Sequence, residues 1–137
     1  MTTIAWDGES LACDSMAITG GVIDQYPTKK IFKKRDVYYL LAGDYAQSLA
    51  VMDWLVDGKE KPEFPKPDYE VIAIQGSGGK CYSGELYPYS IKPPFAVGSG
   101  SEFAYGAMLS GKTAKEAVET AIKLDPNSGG KVRTYKI

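Results

Sequence analysis

The sequence contains no histidine. This chain therefore cannot build a Ser-His-Asp or Cys-His constellation, or a His-ligated metal site. Cysteine is scarce: Cys13 and Cys81 are too few for a disulfide framework or a four-cysteine zinc site. Charge of one sign is also missing. Sixteen Lys and Arg against seventeen Asp and Glu leave a net charge of −1, which argues against a dedicated nucleic-acid partner. No stretch approaches the roughly 18 uninterrupted apolar residues of a membrane span, so no membrane partner is expected. The first residues carry neither a basic n-region nor an apolar h-region, so the expected location is the reducing cytoplasm. At 137 residues the chain is expected to form one domain, 1–137, with a core that needs no staples. Any hydrolytic chemistry here must activate its nucleophile without imidazole.

The positive signals begin at the first residues. Residues 2–6 and 11–15 are two short β-prone runs around Asp7-Gly8, the pattern of a hairpin. Residues 37–42 form a dense apolar run of strand length. From 45 to 56, apolar residues at Tyr45, Leu49, Met52 and Leu55 or Val56 predict a helix, with Asp44 as N-cap and Gly58 as stop. Pro62, Pro65 and Pro67 make 59–68 an extended connector. The stretch 69–98 reads as a β-meander with strands at 69–75, 80–83 and 95–97. A short helix over 102–109 is expected, capped by Ser101 and stopped by Gly111. Thr113 and Glu116 then form a capping box opening a helix with Ala114, Ala117, Val118, Ala121 and Ile122 on one face. Asp125-Pro126 ends it, and 131–137 is a last strand. Helices separated by strands suggest an α+β arrangement with helices on both faces of the β-structure.

Several residues invite a chemical reading beside a plain one. Thr2 follows Met1. Freed of that methionine, it would carry a hydroxyl and an α-amine on one residue, a nucleophile and base that need no histidine; many proteins begin Met-Thr for no chemical reason. Lys30 lies among Lys29, Lys33, Lys34 and Arg35, a run that is ordinarily solvated. If Lys30 turns inward it needs a partner, and Asp14 is the candidate. Gly43 could bring a backbone N–H close to a ligand, or simply join a strand to a helix. Residues 97–101 superficially suggest a phosphate loop but lack the G-K-[ST] of one. Residues 125–130 could be a turn and nothing more.

Together these segments resemble the proteasome β-subunit and HslV family of N-terminal-nucleophile (Ntn) threonine hydrolases. Thr2-Thr3-Ile4 is similar to the family's mature T-T-[IL] start, and Cys13-Asp14-Ser15 to its [AG]-D-[SG]. Thr28-Lys29-Lys30-Ile31 is similar to V-K-K-[IV], and Ala42-Gly43 to the start of A-G-G. Residues 98–106 resemble G-S-G-x-x-[FY]-A-Y-G, and 125–130 resemble D-x-x-S-G-G. The matches run in order over nearly the whole chain.

The resemblance implies an α+β fold, the Ntn-hydrolase αββα sandwich of two antiparallel sheets flanked by helices. One helix would be shortened or missing, because the Pro-rich connector falls where the family has a second long helix. It implies that the Thr2 hydroxyl is the nucleophile and its freed amine the general base. Lys30, held by Asp14, would lower the pKa of both. The Gly43 N–H would stabilise the oxyanion, and Ser99, Asp125 and Ser128 would orient Thr2 and its proton path. No cofactor and no metal are implied. The partners implied are a peptide or protein substrate, further copies in a homo-oligomeric ring, and an ATP-dependent unfoldase; Tyr45, Trp54 and Tyr105 are candidate interface residues. Asp44 stands where the family has a second glycine, which would put an acid near the substrate groove. The reading is a threonine peptidase or amidase that acts once Met1 is removed. The alternative is a non-catalytic, proteasome-like scaffold that retains Met1, and an unrelated α/β binding domain is a further one.

Overall fold

Asp7 turns the chain back on itself at its first bend. Its Oδ1 accepts the N–H groups of Glu9 (2.8 Å) and Ser10 (2.7 Å), and its Oδ2 accepts the Ser10 hydroxyl at 2.9 Å. Self-contained side-chain turns of this kind are why Asp favours such positions. The computed structural model describes residues 2–58, 60–84 and 87–137. Met1, whose removal the proposed chemistry requires, and Lys59, the first residue of the Pro-rich connector, lie outside the described residues.

The Asp7 turn joins β1 (Ile4–Trp6) to β2 (Ser10–Cys13), and a small hairpin follows, β3 (Ile18–Thr19) and β4 (Val22–Ile23). Then come β5 (Ile31–Lys34), β6 (Val37–Gly43), α1 (Tyr45–Asp57), β7 (Tyr69–Gln75), β8 (Gly78–Ser83) and β9 (Tyr89–Ile91). The chain continues through β10 (Phe95–Val97), α2 (Ser101–Leu109), α3 (Ala114–Leu124) and β11 (Arg133–Lys136). These elements form two compact units, one from the segments up to Lys30 and from Lys92 to Ile137, the other from Ile31 to Ile91.

The first unit holds a four-stranded antiparallel sheet in the order β10-β1-β2-β11. Alternation divides its residues. Ala5, Ala12 and Ala96 face α2 and α3, where they meet Ala104, Met108, Ala114, Ala117 and Val118. Small residues on both sides let helix and sheet approach closely. The opposite register positions Ile4, Trp6, Leu11 and Cys13 are no more than 1 % exposed. The capping box forms as the sequence predicts: Thr113 Oγ1 accepts from Glu116 N, and Glu116 Oε1 accepts from Thr113 N. Asp7 Oδ2 also accepts the Ala114 N–H at 2.8 Å, so the first turn pins the start of α3. The α2 cap differs from expectation by one residue. Gly100 is the N-cap, with no side-chain cap bond, and Ser101 is already helical.

Among the described residues the second unit is a five-stranded antiparallel sheet, β5-β6-β7-β8-β9, with one helix, α1. Asp44 caps α1 by accepting from Gln47 N, and Gly58 ends it in the left-handed conformation, as expected. The helix buries Ser48, Val51 and Met52 against Tyr39, Leu41, Tyr69 and Val71. Tyr45, expected on that face, is 39 % exposed. Ser48 takes the buried place because its hydroxyl can donate to the Ala42 carbonyl at 2.6 Å. Trp54 stacks edge-on with Tyr82, and in the first unit Tyr105 does so with Phe95, so both are partly engaged within their own unit. The described part of the Pro-rich connector forms neither helix nor strand, and it bends at Pro65 and Lys66.

The expected meander over 69–98 is shorter than predicted. β7, β8 and β9 form it, but β10 leaves and pairs with β1, Ile4 opposite Val97. A three-residue strand carries too little pattern to name its partner; that choice is made by which edge is open.

Candidate active site

Lys30 lies just before β5, and its ammonium turns inward. The residue is 3 % exposed and Asp14 is 0 % exposed. Lys30 Nζ donates to Asp14 Oδ1 and to the Met16 carbonyl, each at 2.7 Å. Asp14 follows β2 directly, so the hairpin delivers it to the interior. Its Oδ1 also accepts the Thr3 N–H (3.0 Å), and its Oδ2 accepts the Gly129 N–H (3.0 Å). A buried ion pair survives when its spare lone pairs and protons are satisfied this way.

Asp125 ends α3, and its carboxylate collects hydroxyls. Oδ2 accepts from Ser99 Oγ and from Ser128 Oγ, each at 2.6 Å, the short range of charge-assisted O–H···O⁻ bonds. Oδ1 accepts the Asn127 N–H at 3.0 Å. Burial pushes the Asp125 carboxyl up, but the hydroxyls of Ser128 and Ser99 and the Asn127 N–H outweigh it and hold the group below its ordinary value of 3.8. On the far side of Ser99, the Thr2 N–H donates to Ser99 Oγ at 3.2 Å. Cys13, beside Asp14, is unsuited to thiolate chemistry. Burial first, then the Asp14 charge, push its thiol up to about 12, despite the opposing charges of Lys30 and Arg133.

Six of the seven residues singled out in the sequence are thus tied into one unit: Thr2, Asp14, Lys30, Ser99, Asp125 and Ser128. Hydrogen bonds run from Thr2 through Ser99, Asp125 and Ser128 to Thr3, and from Thr3 to Asp14 and Lys30. Thr2, Asp125 and Ser128 are each 5 % exposed. The seventh, Gly43, belongs to the other unit. It closes β6 opposite Tyr69 with φ +78, and a Cβ there would meet the Asp68 carbonyl oxygen at 2.6 Å. Among the described residues no group of three or more His, Cys, Asp or Glu is arranged to hold a metal ion.

Three residues of this site were not singled out in the sequence. Thr3 is fully buried, and its Oγ1 lies 2.7 Å from Ser128 Oγ. Gly98 and Gly100 prove to be seats rather than a phosphate loop. A Cβ on Gly98, whose φ is +103, would collide with the Thr2 carbonyl oxygen, and one on Gly100 would collide with Thr3 Oγ1. The glycines flanking Ser99 were visible as a pattern, but what they make room for was not.

No family model matches the sequence, and no curated protein is similar to it in sequence. Solved structures are similar to it in fold. Thiobacillus denitrificans BPH superposes with a TM-score of 0.76 at 18 % identity, covering 99 % of this chain and 96 % of that one. The same protein in complex with epoxomicin gives 0.75 at 18 % identity, over 99 % and 97 % of the two chains. The eukaryotic HslV from Trypanosoma brucei gives 0.73 at 16 % identity, over 99 % of each chain. The fold is α+β, with antiparallel sheets and three helices among the described residues, and it is the Ntn-hydrolase fold of these HslV-like structures.

Proposed function

We propose that residues 1–137 form a single threonine-type peptidase or amidase domain that becomes active when Met1 is removed. One observation carries the reading. The Thr2 nitrogen is bonded to the Ser99–Asp125 arm, while the carboxylate oxygen that pairs with Lys30 also accepts the N–H of the next residue, Thr3. A buried ammonium and an oriented Thr2 nitrogen in one hydrogen-bonded network are what an N-terminal nucleophile needs.

In this reading the Thr2 Oγ1 attacks the carbonyl carbon of a peptide bond and its proton passes to the Thr2 amine. The amine then gives that proton to the departing amine of the substrate, leaving an ester on Thr2 that water hydrolyses. The N–H bond to Ser99 would orient the amine so that its lone pair is free for the hydroxyl proton. Lys30, fixed by Asp14, would supply the positive charge that eases deprotonation. Gly43, by the same resemblance, would supply the oxyanion N–H.

The HslV-like fold neighbour supports extending the proposal to a homo-oligomeric ring that takes peptide or protein substrates; a cytoplasmic location and an ATP-dependent unfoldase belong to the proposal by the sequence resemblance alone. The test is intact mass with a threonine-directed electrophile; epoxomicin, present in one of the neighbouring structures, is the natural probe. A chain lacking Met1 that gains one adduct at Thr2 and cleaves small peptides supports the enzyme. Retained Met1 with no adduct sinks it and leaves the scaffold.

A further inference from the structure

The two hydroxyl bonds to Asp125 determine a direction. Ser128 has one hydroxyl proton, and it is committed to Asp125 Oδ2 at 2.6 Å. The 2.7 Å contact between Ser128 Oγ and Thr3 Oγ1 therefore has Thr3 as donor. Ser99 is in the same position. Its proton is on Asp125 Oδ2 at 2.6 Å, the alternative acceptor Thr2 O being 3.4 Å away, so its oxygen accepts from the Thr2 N–H. Both arms thus run towards one carboxylate oxygen, from Thr2 through Ser99 and from Thr3 through Ser128.

Thr3 also touches the other half of the site. Its backbone N–H donates to Asp14 Oδ1, the oxygen bound to Lys30, and its carbonyl accepts the Asp14 N–H at 3.1 Å. Its hydroxyl lies where only a glycine at position 100 leaves room. A fully buried threonine hydroxyl in a seat shaped by a glycine, with a defined donor role, does more than fill space.

We infer that the Thr3 hydroxyl, by donating to Ser128, holds the Ser128 hydroxyl on Asp125 and so, through the Ser128–Asp125–Ser99 chain, makes Thr3 a positioning residue for Thr2. Its catalytic consequence rests on the peptidase reading above; its effect on Asp125 does not. Valine at position 3 keeps the shape and removes the donor. Ser128 is then free to rotate away, and the Asp125 carboxylate loses support.

The experiment compares wild type, Thr3→Val and Thr3→Ser by thermal melting, by kcat and KM on a fluorogenic peptide across pH, and by a ¹³C NMR titration of the Asp125 carboxyl. Thr3→Val is expected to lower kcat by about tenfold, the rate equivalent of one ordinary hydrogen bond, with KM little changed. It should also move the Asp125 titration upward, and Thr3→Ser should restore both. Ser128→Ala in the Thr3→Val background should cost no more than Ser128→Ala alone, because the two changes break the same link; if Thr3→Val folds poorly, Thr3→Ala, which removes the same donor without filling its seat, replaces it in both comparisons. An unchanged Asp125 titration in a folded Thr3→Val, or additive losses in the double variant, overturns the inference. A wild type without peptidase activity refutes the proposed function instead, and the Asp125 titration still decides the role of Thr3.

Discussion

Lys30 and Asp14 form an ion pair of 2.7 Å at which neither side chain is more than 3 % exposed. Three further bonds hold it, from Lys30 to the Met16 carbonyl and to Asp14 from the N–H groups of Thr3 and Gly129. A charge this deep is tolerable only while its partner remains. Asp14→Ala is expected to destabilise the protein by roughly 3–5 kcal/mol, because it removes the buried ammonium's counter-charge and the acceptor of two N–H groups at once. Urea denaturation measures this; a loss below about 1 kcal/mol would mean that the pair is solvated, as surface pairs are.

Thr2→Ala should leave the fold intact, because the Thr2 bonds to Ser99 and Gly100 run through its backbone. Activity should nevertheless fall by at least about a thousandfold, the scale of losing a nucleophile. Thr2→Ser keeps the hydroxyl and the amine and should retain measurable turnover. Equal activity in wild type and Thr2→Ala would remove Thr2 from the mechanism.

An amine base has a signature in pH. The rate should drop on the acid side as the Thr2 amine protonates, at or below its reference range of roughly 7.7–8.0. A rate flat from pH 5 to 9 contradicts an amine base.

Asp125 has its own pH window. Its folded value lies below the ordinary 3.8, so the charged form is favoured in the folded state. The stability this contributes is fully present above 3.8 and is lost as pH falls through the depressed folded value. Asp125→Asn should therefore flatten the acid limb of a stability-versus-pH curve without changing its slope above neutrality. An acid limb identical to wild type would show that the Ser99 and Ser128 bonds confer no preference for the carboxylate.

Three glycines separate seat from spacer. Gly100→Ala should cost about 1–3 kcal/mol or more, since its Cβ meets the Thr3 hydroxyl, the Ala121 side chain at 3.1 Å and Asp125 Oδ2 at 3.2 Å. Gly98→Ala adds a strained φ to its clash. Gly106, exposed within α2 with nothing within 4 Å, should instead gain about 0.5–1 kcal/mol on change to alanine. Melting temperatures that move the same way in all three would refute the distinction.

The elements most legible in the sequence were those whose determinants lie within a few residues. The Thr113–Glu116 capping box and the alanine face of α3 predicted that helix closely. Asp44 and Gly58 likewise bounded α1, because caps act within one turn. The buried face of α1 was less legible. Ser48 is polar by type yet 0 % exposed, and only the Ala42 carbonyl at the end of β6 explains it. Thr3 escaped notice for a related reason. Beside a candidate nucleophile it looks like an ordinary β-branched strand residue, and nothing local reveals that its hydroxyl meets Ser128.

By itself the sequence determined the chemistry available: no imidazole, a threonine next to Met1, a run of cations that includes Lys30, and turns and caps where Asp, Gly and Thr require them. Tertiary structure decided which groups meet. β10 pairs with β1 rather than extending the β7–β9 meander, and Thr3 reaches a serine 125 positions away. The physical reason is range. Caps and turns are closed by bonds within a few residues, whereas strand partners and buried hydroxyl contacts form only when distant segments pack, and a three-residue strand or a lone serine carries no local mark of its partner.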